Sequence, residues 1–118
     1  MSNPIPHETV DGVLVVRFGE EELFDRLVEP CREIFNEAFS SACYDVVLDF
    51  TSAVSIDSFF LAMLVLLYKE VRGSSGEVKI VGLGERLTEI FDRVHFRKLF
   101  DEYDTVEDAV EAFRSNRD

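Results

Sequence analysis

Three segments of the chain are almost continuously apolar and rich in β-branched residues: Val13-Leu14-Val15-Val16-Arg17-Phe18, Tyr44-Asp45-Val46-Val47-Leu48-Asp49-Phe50 and Val78-Lys79-Ile80-Val81-Gly82. A strand wetted on one face alternates apolar and polar residues, so runs without alternation predict strands covered on both faces. The first follows the turn pair Asp11-Gly12. Between the strands the period changes. Phe24, Leu27, Val28, Cys31, Ile34, Phe35, Ala38 and Phe39 recur at spacings of three and four and fall on one helical face. Pro30 cannot sit in a helix interior, which predicts a regular helix starting near Glu29 with Pro30 at its first position and a partly irregular acidic loop before it. Residues 59–72 form a helix with hardly any polar face, ended by Gly73-Ser74-Ser75-Gly76. Leu87, Ile90, Phe91 and Val94 predict a helix over 85–94, and a short strand is expected at Leu99 and Phe100. Thr105-Val106-Glu107-Asp108 has the form of a capping box and opens a last helix ending near Arg114, with 115–118 frayed.

Strands alternating with helices predict an α/β layer fold: one domain over 1–118, loose at about 1–8 and 115–118. Its sheet is expected to be mixed but mostly parallel, of about four or five strands, with about four helices. A chain of 118 residues with 47% hydrophobic residues is large enough to build its own core. Twelve cations against 24 acids give a net charge of −12, the wrong sign for nucleic-acid backbones or anionic membranes, so neither is an expected partner. Cys31 and Cys43 suggest no disulfide framework and no zinc site. No basic region followed by an apolar run opens the sequence, so a cytoplasmic location is the default expectation. The longest apolar run, residues 59–68, falls short of the roughly 20 residues that cross a bilayer.

Candidate chemistry concentrates in Val54-Ser55-Ile56-Asp57-Ser58-Phe59-Phe60, between the second strand and the apolar helix. Loops at the carboxyl ends of strands in open α/β sheets are where such folds place their sites. The plain reading is a helix cap by Asp57 or Ser58, whose oxygen would accept from backbone N–H groups of the first turn. Catalysis has no cast. There is no Gly-x-Ser-x-Gly, phosphate loop or His-Glu-x-x-His, and His7 and His95 are isolated. Gly82-Leu83-Gly84 lacks the third glycine of a dinucleotide fingerprint, because Leu87 stands there. The acidic run 20–22 reads as a solvated loop before it reads as a cation site. No enzyme activity, metal or cofactor is expected.

The run Val46-Val47-Leu48-Asp49-Phe50 followed by Ser55-Ile56-Asp57-Ser58 resembles the signature of STAS domains, the fold of bacterial anti-sigma-factor antagonists. Residues 76–82, 83–94 and 96–100, then Tyr103-Asp104-Thr105-Val106-Glu107-Asp108-Ala109, fit the family's later elements in order. The resemblance implies a STAS-like fold and partner switching. By that resemblance the serine after the Asp, here Ser58, would be the phosphoacceptor of an anti-sigma serine kinase, and only the unphosphorylated form would bind that kinase and free a sigma factor. A phosphatase would reset it. Carried over on those positions, the phosphoacceptor is Ser58, its neighbouring acid is Asp57, and Asp25 is the candidate for the family's partner-contacting acid. From the residues themselves, Phe59 and Phe60 are expected to border the docking surface with Asp57 and Ser58, and Glu21 and Glu22 to add acidic complementarity to a basic patch. Phe59-Phe60 departs from the Ser/Thr-Gly usual in phosphorylated antagonists. Bulky residues there resemble the STAS scaffold proteins of stressosome-type assemblies, which bind other STAS proteins and a regulatory kinase; this is the alternative reading. Apolar surface along 59–67 would also allow a dimer, and periodicity alone does not separate that use from core packing.

Overall fold

Asp11 and Gly12 both take positive φ, 51° and 78°, the geometry of a two-residue hairpin turn whose twist matches that of paired strands. In the computed structural model, which describes residues 3–117, that turn joins β1 (His7–Val10) antiparallel to β2 (Val13–Arg17), with Val10 opposite Val13. The chain then runs through β3 (Glu22–Leu23), a 3-10 turn (Asp25–Leu27), α1 (Val28–Ser40), β4 (Asp45–Asp49), β5 (Ser55–Ile56) and α2 (Ser58–Gly73). It continues as β6 (Glu77–Val81), α3 (Glu85–Arg93), a second 3-10 turn (Phe96–Lys98), β7 (Asp101–Tyr103) and α4 (Val106–Arg117). The main sheet has five strands in the order β1-β2-β4-β6-β7; only β1 is antiparallel to its neighbour. β3 and β5 form a separate parallel pair.

The continuous apolar runs follow from this layering. Leu14 and Val16 of β2 face a large core filled by α1, α2 and α3, while Val13 and Val15 face a smaller one. That second core contains Val47 and Val81 from the sheet and Ala109, Val110 and Phe113 from α4. Burial pushes the thiol of Cys31, in the large core, far up from its ordinary range, so it behaves as a small apolar side chain. No helix among the described residues is long and apolar enough to cross a membrane.

Several expectations are corrected. The N-terminal segment is held from Asn3 onward: the Asn3 side chain donates to the Pro30 carbonyl, Ile5 is buried, and β1 begins at His7. The final helix runs through Arg117, beyond its expected end near Arg114; Met1, Ser2 and Asp118, also expected to be loose, lie outside the described residues. α1 starts at Val28, so Pro30 is the third helical residue, still within the turn whose N–H groups need no helical partner. The strand expected at Leu99 and Phe100 forms later, at Asp101–Tyr103. Phe96 and Phe100 both enter the core with ring centroids 5.9 Å apart, and a helical turn brings residues four apart together where a strand would not.

Lys79 is the one charged residue buried among the described residues, 1% exposed in the middle of β6. Its Nζ donates to Glu77 at 3.1 Å, lies 3.5 Å from Asp101, and sits 4.7 Å from the Phe113 ring centroid and 5.3 Å from that of Tyr103. Burial pulls its pKa down, but the bond and charge of Glu77, with Tyr103 and Asp101, outweigh burial and raise it. A raised folded-state pKa means stabilisation that is complete below the unfolded value, about pH 10.4, and is lost as pH rises through the folded value. Urea midpoints between pH 8 and pH 11 should therefore fall in the wild type. In Lys79→Met stability should stay within about 1 kcal/mol at neutral pH, and the alkaline fall should be smaller. An unchanged alkaline fall in Lys79→Met would assign it to other groups.

Candidate functional site

Past β4 the chain turns on Asp49, whose carboxylate accepts from the backbone and hydroxyl of Thr51. It then enters β5, which lies in register with β3, Glu22 opposite Ser55 and Leu23 opposite Ile56. The Glu21 carbonyl accepts from the N–H groups of Val54 at 2.7 Å and Ser55 at 3.0 Å. This pairing lays part of the acidic loop, expected to be irregular, directly against the start of α2.

Asp57 closes the junction. Its backbone is extended, as a helix cap requires, and its Oδ1 accepts from the Phe60 N–H at 2.9 Å. Its Oδ2 accepts from the Asp25 N–H at 2.8 Å. One carboxylate therefore satisfies the first turn of α2 and the first residue of the 3-10 turn together. Of the two cap candidates the helix uses Asp57, which leaves Ser58 as the first helical residue, exposed to solvent.

Consecutive helical residues point about 100° apart, so the two phenylalanines separate. Phe59 is 65% exposed. Phe60 is 0% exposed, its ring edge-on to Phe18 at 5.4 Å, and Phe18 in turn lies 5.3 Å from Phe50. The expectation that Phe60 borders a docking surface is therefore overturned: it is a core residue. Glu21, Glu22 and Asp25 are exposed beside the helix start, with Glu20 paired to Arg26 at 2.9 Å. Val54, 50% exposed, adds an apolar neighbour; a lone valine in a polar loop was the available signal for it. His7 sits on the edge strand with its ring against the Ile5 carbonyl, and His95 follows α3 in left-handed backbone, so neither joins this site. Among the described residues no cluster of His, Cys, Asp or Glu is arranged to hold a metal ion. The arrangement offers an exposed hydroxyl at a helix N-terminus, an aromatic ring and a valine in solvent, and three exposed acidic residues.

A five-stranded mixed sheet with this junction at the start of its second helix defines a known class. Residues 5–109 match the STAS domain model, and the chain belongs to that family. A protein of Thermotoga maritima named as a candidate anti-sigma factor antagonist is 24% identical over 109 residues, covering 92% of this chain and 96% of its own. A crystal structure of a candidate anti-sigma factor antagonist from the same organism superposes with a TM-score of 0.85 at 22% identity, covering 93% of this chain and 94% of that one. The anti-sigma factor antagonist SpoIIAA in its unphosphorylated form superposes with a TM-score of 0.83 at 18% identity, covering 94% of this chain and 96% of that one.

Proposed function

We propose that this STAS domain is a phosphorylation-switched anti-sigma-factor antagonist that works in the cytoplasm as a binding protein and kinase substrate, with no catalysis of its own. With Ser58 unmodified it docks on an anti-sigma serine kinase and so releases a sigma factor; with a phosphate on Ser58 the docking ends, and a phosphatase restores it. The observation that carries the reading is the exposed Ser58 at the first position of α2, next to a residue that already caps the helix. Because Asp57 performs the capping, the Ser58 hydroxyl is dispensable for folding and available for modification. A phosphate there adds about −1.5 to −2 charge at the positive end of the helix dipole, which tolerates it. The same charge beside Asp57, Asp25 and Glu22 adds to a surface already acidic, and desolvating it against a partner costs binding. Phe59 and Val54 supply the apolar anchors, and Glu21, Glu22 and Asp25 complement a basic patch.

The test is capture from native lysate with wild-type, Ser58→Ala and Ser58→Asp baits, read by mass spectrometry. Wild type and Ser58→Ala should retain a small ATP-binding serine kinase that Ser58→Asp loses at least tenfold. The alternative, a scaffold of a stressosome-type assembly, is favoured by the exposed aromatic Phe59. It would be selected if all three baits instead bring down other STAS proteins.

A further inference from the structure

The exposed aromatic at Ser58 is one end of a longer feature. Phe59, Ala62 and Leu66 are spaced three and four apart along α2, and all three are exposed, Leu66 at 59%. Beside this stripe runs an open groove against α1, lined among others by Arg32, Phe39, Met63 and Lys69. Among the described residues nothing covers the greater part of Phe59 or Leu66.

Charge differs in sign between the two ends of the stripe. At the N-terminal end stand Glu22, Asp25 and Asp57, held together by the Asp57 bond to the Asp25 N–H. At the groove, Lys69 and Arg32 outnumber the single acid Glu70. A face that is acidic at one end, cationic towards the other and apolar between them is complementary to itself when turned through 180°.

We propose that α2 packs antiparallel on α2 of a second copy, about a two-fold axis passing beside Ala62. An isologous interface needs each residue on one side of the axis to find its complement at the mirrored position, and this stripe provides that. Phe59 and Leu66 lie equally far, about 5 Å along the helix, on either side of the point between residues 62 and 63, so each ring meets a leucine of the other copy. The small Ala62 lets the helices approach at the crossing. Lys69 of the second copy then falls within about one turn of Asp57 and beside Asp25. Phe59 is shared with the face proposed to dock the kinase, so a paired copy is closed to that partner. The pairing itself requires neither kinase nor phosphate.

Sedimentation velocity on the full chain tests this directly, across about 5 to 500 µM, the range in which a small interface is expected to associate reversibly. Wild type should move from monomer towards dimer with concentration. Leu66→Glu should stay monomeric with an unchanged melting temperature, as expected for an exposed position. Lys69→Glu should weaken the dimer at least tenfold, and mixing Lys69→Glu with Asp25→Lys should restore it, because that pair re-forms both contacts. A wild type monomeric throughout would overturn the proposal and leave the stripe to a partner of different chemistry; a dimer indifferent to Leu66→Glu would overturn it as well. Neither result bears on the Ser58 switch, which is read by kinase capture.

Discussion

Phe60→Ala should destabilise the domain by about 3–5 kcal/mol, while Phe59→Ala, one residue earlier, should stay within about 0.5 kcal/mol of wild type and lose partner binding at least tenfold. Phe60 is fully buried against Phe18, itself packed on Phe50, in the core between the sheet and its three covering helices, so truncation leaves a cavity that close-packed rings collapse into poorly. Phe59 spends most of its surface in water and leaves no cavity. Urea unfolding of both variants, with kinase capture for Phe59→Ala, checks the pair. Equal stability losses would mean that the helix can roll and exchange the two rings.

Gly76→Ala should be similarly damaging, at about 3 kcal/mol or more. A Cβ on Gly76 would overlap the Tyr44 carbonyl oxygen and stand 2.7 Å from its carbonyl carbon, atoms of the backbone leading into β4 that cannot swing aside. Tyr44 is also pinned by its ring, stacked on Phe39 at 5.0 Å, so relief requires β4 and β6 to part. Gly73→Ala, in the same turn, has nothing within 4 Å of the new atom. It should be neutral or stabilise by up to about 1 kcal/mol, since alanine loses less freedom at a helix end. Thermal melts of the two variants separate the clash from any general sensitivity of the turn.

How far the sequence revealed this fold depended on how deeply each element is buried. β2, β4 and β6 were readable because each is covered by helices on both faces, and only such strands lose their polar alternation. β1 escaped notice because three of its four residues face solvent and its apolar content is Val10 alone; the Asp-Gly pair marked its turn without marking the strand. β3 and β5 have two residues each, too few to carry any period. At the site, Asp57 and Ser58 were legible as a helix start, but not which of them capped it, because either side chain can accept from the first turn. Phe59 and Phe60 looked alike for a different reason: their order in the chain fixes the angle between them and leaves open which one turns towards the sheet. Lys79 stood inside an apolar strand two residues from Glu77, which was the signal for a buried ion pair; its other partners, Asp101, Tyr103 and Phe113, come from distant segments that sequence spacing cannot bring together.

The two hydrogen bonds accepted by Asp57 bear on how cheaply the surface can recognise anything. A flexible acidic loop would have to be ordered at the moment of association, at roughly 1–2 kcal/mol for each residue fixed. Here the loop is fastened to the helix by one carboxylate and to β5 by ladder bonds when the domain folds. The entropy is therefore surrendered once, in folding. Each encounter meets a backbone already in place, with the hydroxyl that would carry the phosphate and the acids beside it set at fixed positions on it.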